Sequence, residues 1–257
     1  MASHPFTSAL ITGASSGIGA AMVRELGRAG IPVVVVARRA DRLDDLAATF
    51  AGVEVLAADL TTADGLAEVS ERLVSVDEPI DLLVNNAGFG SSGAFVDIDA
   101  ERLDEEVGLN VAALTHLSRA ALGVMIPRKR GFLLNVSSVA GFQPAPTLAV
   151  YAATKAYVTS LSEALHEEVR GTGVKVTALC PGLTRTEFQE VSSSTKVTDR
   201  APAFMWQTAE EVAATGLRDV AAGRALSIPG PMNKSLVMAS GLTPRGMMRR
   251  MSGIVRM

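Results

Sequence analysis

Apolar residues fall along this chain in short unbroken runs, separated by longer stretches in which they recur every three or four positions. Val33-Val34-Val35-Val36 and Leu82-Leu83-Val84 are runs of the first kind. They are continuous rather than alternating, which fits strands covered on both faces, as in a parallel sheet between helices. The pattern predicts strands at 8–12, 32–37, 53–58, 81–85, 131–136, 175–180 and 225–228. Helices are predicted over about 17–29, 41–50, 62–75, 100–126, 150–171 and 208–222. Strand–helix–strand order repeated in this way predicts an α/β fold: an open, doubly wound parallel sheet of about seven strands with right-handed crossovers.

Two regions break the rhythm. Residues 184–207 hold Ser192-Ser193-Ser194-Thr195, Pro202 and then Phe204-Met205-Trp206. A long connection after the sixth strand belongs over the carboxyl edge of such a sheet, where ligands bind, or is an ordinary surface loop. Thr208 and Glu211 read as a capping box restarting a helix. Residues 231–257 form the second irregular region. They carry six of the ten methionines and several bases.

Composition narrows the function classes. With 257 residues, 48% of them apolar, the chain can bury a full core without crosslinks. Cys180 stands alone and His4, His116 and His166 are scattered, so no metal-ligand spacing appears. The net charge of −3 conceals an asymmetry. Residues 220–257 contain six bases and no acid, whereas the rest is acidic. An acidic body argues against nucleic-acid binding. No targeting or membrane-spanning segment is visible, so a cytoplasmic location is expected.

The first strand runs into Thr12-Gly13-Ala14-Ser15-Ser16-Gly17-Ile18-Gly19, which opens a helix. Glycines there let the backbone approach a pyrophosphate, and the helix start supplies free N–H groups. The second strand ends in Ala37-Arg38-Arg39. Dinucleotide sites for NAD carry an acid near this point, to bind the ribose 2′-OH. Two guanidinium groups suit a 2′-phosphate instead, so NADP(H) is expected. Asp59-Leu60 follows the third strand. The acid reads either as an acceptor for adenine or as a cap for the next helix. Asn85-Asn86-Ala87-Gly88 ends the fourth strand, where small residues allow close approach by the adenosine half. Its asparagines could equally tie down backbone.

Tyr151 and Lys155 lie four apart in a helical pattern, on one face. An ammonium group beside a phenol stabilises the phenolate, which is expected to bring Tyr151 below its ordinary pKa near 10. Ser138 ends the fifth strand, where its hydroxyl could hold a carbonyl oxygen. Asn110 sits mid-helix, a position of poor propensity. It reads as part of a water-mediated proton path to Lys155 or as a buried tie to a carbonyl.

Together these residues resemble the short-chain dehydrogenase/reductase family, from about Thr7 to Gly230. The motifs are Thr12-Gly13-x3-Gly17-x-Gly19, Asn85-Asn86-Ala87-Gly88, Asn110, Ser138, Tyr151-x3-Lys155 and Pro181-Gly182-x3-Thr186. The resemblance implies a Rossmann fold, a catalytic set of Asn110, Ser138, Tyr151 and Lys155, and adenosine contacts from Asp59 and Asn86. It also implies that the Pro181–Thr186 stretch, with Gly182, Thr184 and Thr186, anchors the nicotinamide carboxamide. Lys155 would grip the nicotinamide ribose. The implied activity is interconversion of a carbonyl and an alcohol, with Tyr151 as general acid or base. A cofactor-sensing regulatory protein on the same fold is the alternative. Homodimers or homotetramers are expected by resemblance, through the helix carrying Tyr151.

Residues 1–230 thus read as one Rossmann domain and 231–257 as an extension. Looser similarity links Pro229–Lys234 to bacterial ketoacyl reductases and hydroxysteroid dehydrogenases. The extension reads as a packing or intersubunit segment, a cover for a greasy substrate, or a peripheral membrane contact. An apolar carbonyl substrate is expected; a 3-oxoacyl thioester, a steroid-like ketone and an aromatic ketone or aldehyde all stay open.

Overall fold

The computed structural model describes residues 4–193 and 201–254. Seven parallel strands form one sheet in the order β3-β2-β1-β4-β5-β6-β9. They are β1 (Ala9–Thr12), β2 (Val33–Ala37), β3 (Val53–Ala57), β4 (Leu82–Asn85), β5 (Gly131–Val136), β6 (Val174–Leu179) and β9 (Leu226–Ser227). The order reverses at β1 and β4, which opens a crevice between their carboxyl ends.

The unbroken apolar strands feed two cores. Ala9, Ile11, Val33, Val35, Leu82 and Val84 face one side, against Met22, Leu26, Leu43 and Leu217. Leu10, Val34, Val36 and Leu83 face the other, against Val69, Leu73, Leu117 and Met125. Adjacent residues on each strand serve opposite faces, which is why no polar alternation marks these strands. The covering helices include α1 (Gly17–Arg28), α2 (Ala40–Thr49), α3 (Ala63–Leu73), α4 (Ala100–Val107), α5 (Leu114–Met125) and α6 (Ala149–Glu168). In α5, Leu114, Leu117, Ser118, Ala121, Leu122 and Met125 are buried, the three-and-four spacing of one helix stripe.

The single helix expected over 100–126 is divided. A π-helical turn, Gly108–Ala113, separates α4 from α5 and carries Asn110, which is buried. Such turns insert a residue into the ladder and often mark functional positions.

The 184–207 connection is partly regular. It forms β7 (Thr184–Arg185), a short α7 (Phe188–Val191) and β8 (Gln207–Thr208), with β7 and β8 paired in parallel. Residues 194–200 of it lie outside the described residues. The expected capping box exists: Glu211 N donates to Thr208 Oγ1 at 3.1 Å and Thr208 N to Glu211 Oε2 at 3.0 Å, opening α8 (Ala209–Ala221).

The extension is helical, with α9 (Pro231–Leu242) and α10 (Arg245–Ile254); 255–257 lie outside the described residues. Asn233 anchors α9, donating to Gln207 Oε1 at 3.0 Å and Pro229 O at 2.8 Å. Met238 and Leu242 stay exposed. Among the described residues no helix is long and apolar enough to cross a membrane.

Candidate active site

The crevice begins where β1 meets the glycine loop. Thr12 Oγ1 accepts from Asn86 N and Ala87 N, both at 3.0 Å, joining the ends of β1 and β4. Asn86 Nδ2 donates to Thr12 O at 2.9 Å and Gly13 O at 3.1 Å, so its side chain clamps the loop. Gly13 and Gly17 have φ of +66° and +55°. A side chain at Gly13 would also meet Ala87 Cα at 2.8 Å. The loop is thus both left-handed and tightly backed, as a phosphate cradle requires. Ser16 caps α1 without a side-chain bond, which leaves the first N–H groups before Ile18 and Gly19 open to an anion.

At the end of β2, Arg38 Nη1 lies 3.8 Å from Asp59 Oδ2. Arg39 donates to Ser15 Oγ through Nε at 3.2 Å and Nη2 at 3.0 Å. Asp59 is not the helix cap; Thr62 caps α3, accepting from Gly65 N at 3.1 Å. Asp59 Oδ1 instead accepts from Thr61 N and Oγ1. Burial would raise its carboxyl, but those bonds and Arg38 outweigh burial and lower it. Leu60 is buried, and with Ala87 it packs in the core beneath the crevice.

Further along the same edge stand the four expected catalytic groups. Asn110 holds the backbone of Phe89 from both sides: its Nδ2 donates to Phe89 O at 2.8 Å, and Phe89 N donates to its Oδ1 at 3.1 Å. The side chain is therefore a backbone tie, which accounts for an Asn in mid-helix. Asn110 Nδ2 also reaches Thr154 Oγ1 at 3.2 Å, one residue before Lys155. Lys155 is buried and its Nζ donates to Val136 O at 2.8 Å. The same nitrogen lies 5.8 Å from the Tyr151 ring centroid. A side chain at Gly88 would come within 3.4 Å of it. Ser138 begins the turn after β5, with Oγ accepting from Ala140 N at 3.1 Å. Val139 N donates to Pro181 O at 3.0 Å, which joins this turn to the end of β6. Beyond it, Thr184 Oγ1 bonds Gly182 O at 3.1 Å, and Thr186 lies against Gly17.

The environment of Tyr151 and Lys155 acts against the lowered phenol pKa that their spacing suggests. Burial pushes the Tyr151 phenol up to about 12, and the Ser138 hydroxyl only partly offsets it. Burial also brings Lys155 down to about 8. Spacing alone suggests a phenol made acidic by its neighbour. Loss of hydration around each charge dominates, and the Glu106 carboxyl adds to the rise of Tyr151 while opposing the fall of Lys155.

These features converge with the sequence comparisons. A short chain dehydrogenase family model matches residues 7–197. The protein belongs to the short-chain dehydrogenases. It is 34% identical over 183 residues to an uncharacterized oxidoreductase of Staphylococcus epidermidis, covering 71% of this chain and 80% of that one. An uncharacterized oxidoreductase of Myxococcus xanthus is 36% identical over 192 residues, covering 73% and 76%. Among solved structures, a short-chain dehydrogenase from Sphingobium yanoikuyae in complex with NADPH matches with a TM-score of 0.83 and 35% identity, over 94% of this chain and 95% of that one. A bulky-bulky ketone specific alcohol dehydrogenase from Comamonas testosteroni matches with a TM-score of 0.78 and 35% identity, over 92% and 93%.

This short-chain dehydrogenase also has groups that the motifs do not reveal. Glu106, one turn before Asn110, is fully buried beside Ser91. Burial raises its carboxyl, against the opposing influence of Ser91, Arg102 and Lys155. Glu187, next to Thr186, accepts from Arg39 Nη1 at 2.9 Å and also pairs with Arg42. The ring of Phe188 packs on Tyr151, with centroids 5.1 Å apart. Arg42 is readable in the sequence, three residues after Arg39 on the first turn of α2. Glu187 is not, because 148 residues separate it from Arg39. Outside the crevice, an open apolar groove of about 420 Å³ runs between the π turn and α6, lined by Val107, Val111, Ala149, Val150, Ala153 and Thr154.

Proposed function

We propose that this short-chain dehydrogenase interconverts a bulky apolar ketone and its secondary alcohol with NADP(H). The observation that carries the reading is the pairing of Tyr151 with a buried Lys155, 5.8 Å from its ring, beside Ser138 at the carboxyl edge of the sheet. The residues fit a dinucleotide: Gly13 and Gly17 leave no room for side chains, and the cations at the end of β2 suit a 2′-phosphate. Gly13, Ser15, Ser16, Gly17, Ile18 and Gly19 would hold the pyrophosphate side. Arg38, Arg39 and Ser15 would face the 2′-phosphate. Asp59, Leu60, Asn86, Ala87 and Gly88 would line the adenosine, and Pro181, Gly182, Thr184 and Thr186 the nicotinamide. When bound, NADPH supplies the hydride.

The chain's own residues handle the oxygen. Ser138 and Tyr151 donate hydrogen bonds to the substrate carbonyl, where negative charge develops. Tyr151 passes its proton to that oxygen as general acid. Lys155, held on Val136 O, steadies the phenolate left behind. Asn110 fixes the Phe89 backbone beside this pair, which keeps the pocket floor in place.

A bulky apolar substrate is supported by the rim. Phe188 covers Tyr151, and Phe204 is exposed just before β8. The likeness to the Comamonas testosteroni enzyme supports the same class. The groove along α6 suits a second copy of the chain, which supports a homo-oligomer. The experiment is a panel of diaryl, aryl-alkyl and small aliphatic ketones with NADPH, followed at the nicotinamide absorbance. The reading expects turnover of the bulky members. Activity confined to small aliphatic ketones, or equal use of NADH, contradicts it.

A further inference from the structure

The charged rim at the end of β2 supports an inference that rests on the NADP(H) reading. Arg39 is shared between two partners. Its Nε and Nη2 donate to Ser15 Oγ on the glycine loop, while Nη1 donates to Glu187 Oε2 at 2.9 Å. Arg42 pairs with the other oxygen of the same carboxylate. Both arginines and Glu187 are about 40% exposed, so the cluster lies in reach of solvent and ligand. Arg42 and Arg39 hold the Glu187 carboxyl below its ordinary range, so it is anionic at neutral pH. Arg38, beside them, has only the longer contact to Asp59 and is 71% exposed. An internal anion thus sits on cations that the chain presents where a 2′-phosphate is expected.

We propose that Glu187 is an internal stand-in for the cofactor's 2′-phosphate, holding Arg39 and Arg42 in the empty enzyme and yielding them when the phosphate arrives. The exchange conserves charge pairing: two guanidinium groups leave a carboxylate and meet a dianion with three acceptor oxygens. It has two consequences. Displacing Glu187 subtracts from the affinity gained through the phosphate, so this residue sets how far NADP(H) is preferred over NAD(H). Release also reaches the reaction centre. Glu187 immediately precedes Phe188, whose ring lies on Tyr151, and Arg102 Nη2 holds the far end of the same segment at Val191 O, at 2.7 Å. Occupation of the adenosine end therefore frees the near end of the segment that covers the catalytic phenol.

The test uses the full chain, with 2′,5′-ADP and 5′-ADP as probes in titration calorimetry. The wild type is expected to bind 2′,5′-ADP more tightly than 5′-ADP. In Glu187→Gln the affinity for 2′,5′-ADP should rise about fivefold, the scale of an exposed ion pair, with 5′-ADP unchanged. Hydrogen exchange at amides 186–192 should rise when 2′,5′-ADP binds the wild type, and should already be high in the ligand-free variant. A preference for 2′,5′-ADP that Glu187→Gln leaves unchanged or weakens overturns the stand-in role and leaves the NADP(H) reading intact. No preference in either protein removes both.

Discussion

The two ends of the crevice handle charge in opposite ways. At the end holding Tyr151 and Lys155, the lysine is buried and the tyrosine half-buried, and loss of hydration moves both toward their neutral forms. At the end of β2, Arg39, Arg42 and Glu187 remain in reach of water and paired. A group that loses its hydration on burial favours its neutral form. An exposed pair is screened and of modest strength, so it can exchange partners. On the proposed reading, one end serves proton transfer and the other selects and releases an anion.

The sharpest way to break this contrast is Tyr151→Phe, which removes the hydroxyl but keeps the ring on Phe188. Turnover should fall by about 10²–10⁴, with binding of 2′,5′-ADP unchanged. Near-full turnover in that variant would detach the buried end from proton transfer. At the exposed end, Arg38→Asp should lower kcat/KM with NADPH by about tenfold or more and raise NADH use, leaving the pH profile of the chemical step unmoved. A changed pH profile would mean that the two ends are not separate in function.

A smaller effect concerns Glu106. Its folded carboxyl lies above the ordinary value, so the folded chain holds that proton more firmly than the unfolded chain does. The residue is therefore neutral and harmless at acid pH. Its destabilising influence grows as pH rises from the unfolded pKa through the folded one. Glu106→Gln should raise the melting temperature at neutral pH, with the gain vanishing as pH falls to the ordinary carboxylate range, as read from thermal melting across pH. A gain that is independent of pH would show that ionisation of Glu106 is not the cause.

Most of the scaffold was legible in the sequence, because buried parallel strands must be apolar on both faces. Val33–Val36 could serve no exposed strand. The glycine loop and the shared helix of Tyr151 and Lys155 were legible for a related reason, since both depend on local spacing. Three features were not. The π turn at Gly108–Ala113 uses residues that also suit an unbroken α-helix, and the partner that Asn110 meets there, Phe89, lies on a separate segment. The rise of Tyr151 to about 12 depends on burial assembled from distant segments, among them Phe188. The extension is helical despite its mixture of Gly, Met and Arg; Pro231 at the first helical position, after Gly230 with φ of +82°, is the local signal for its start.

The most direct measurement is an ultraviolet titration of phenolate in a Tyr157→Phe background, which leaves Tyr151 as the one tyrosine of the chain. In the ligand-free protein Tyr151 should ionise near 12. With NADP⁺ bound, the added positive charge beside the phenol should lower that midpoint by about 2 units or more. A midpoint that stays in place when NADP⁺ binds would contradict the account.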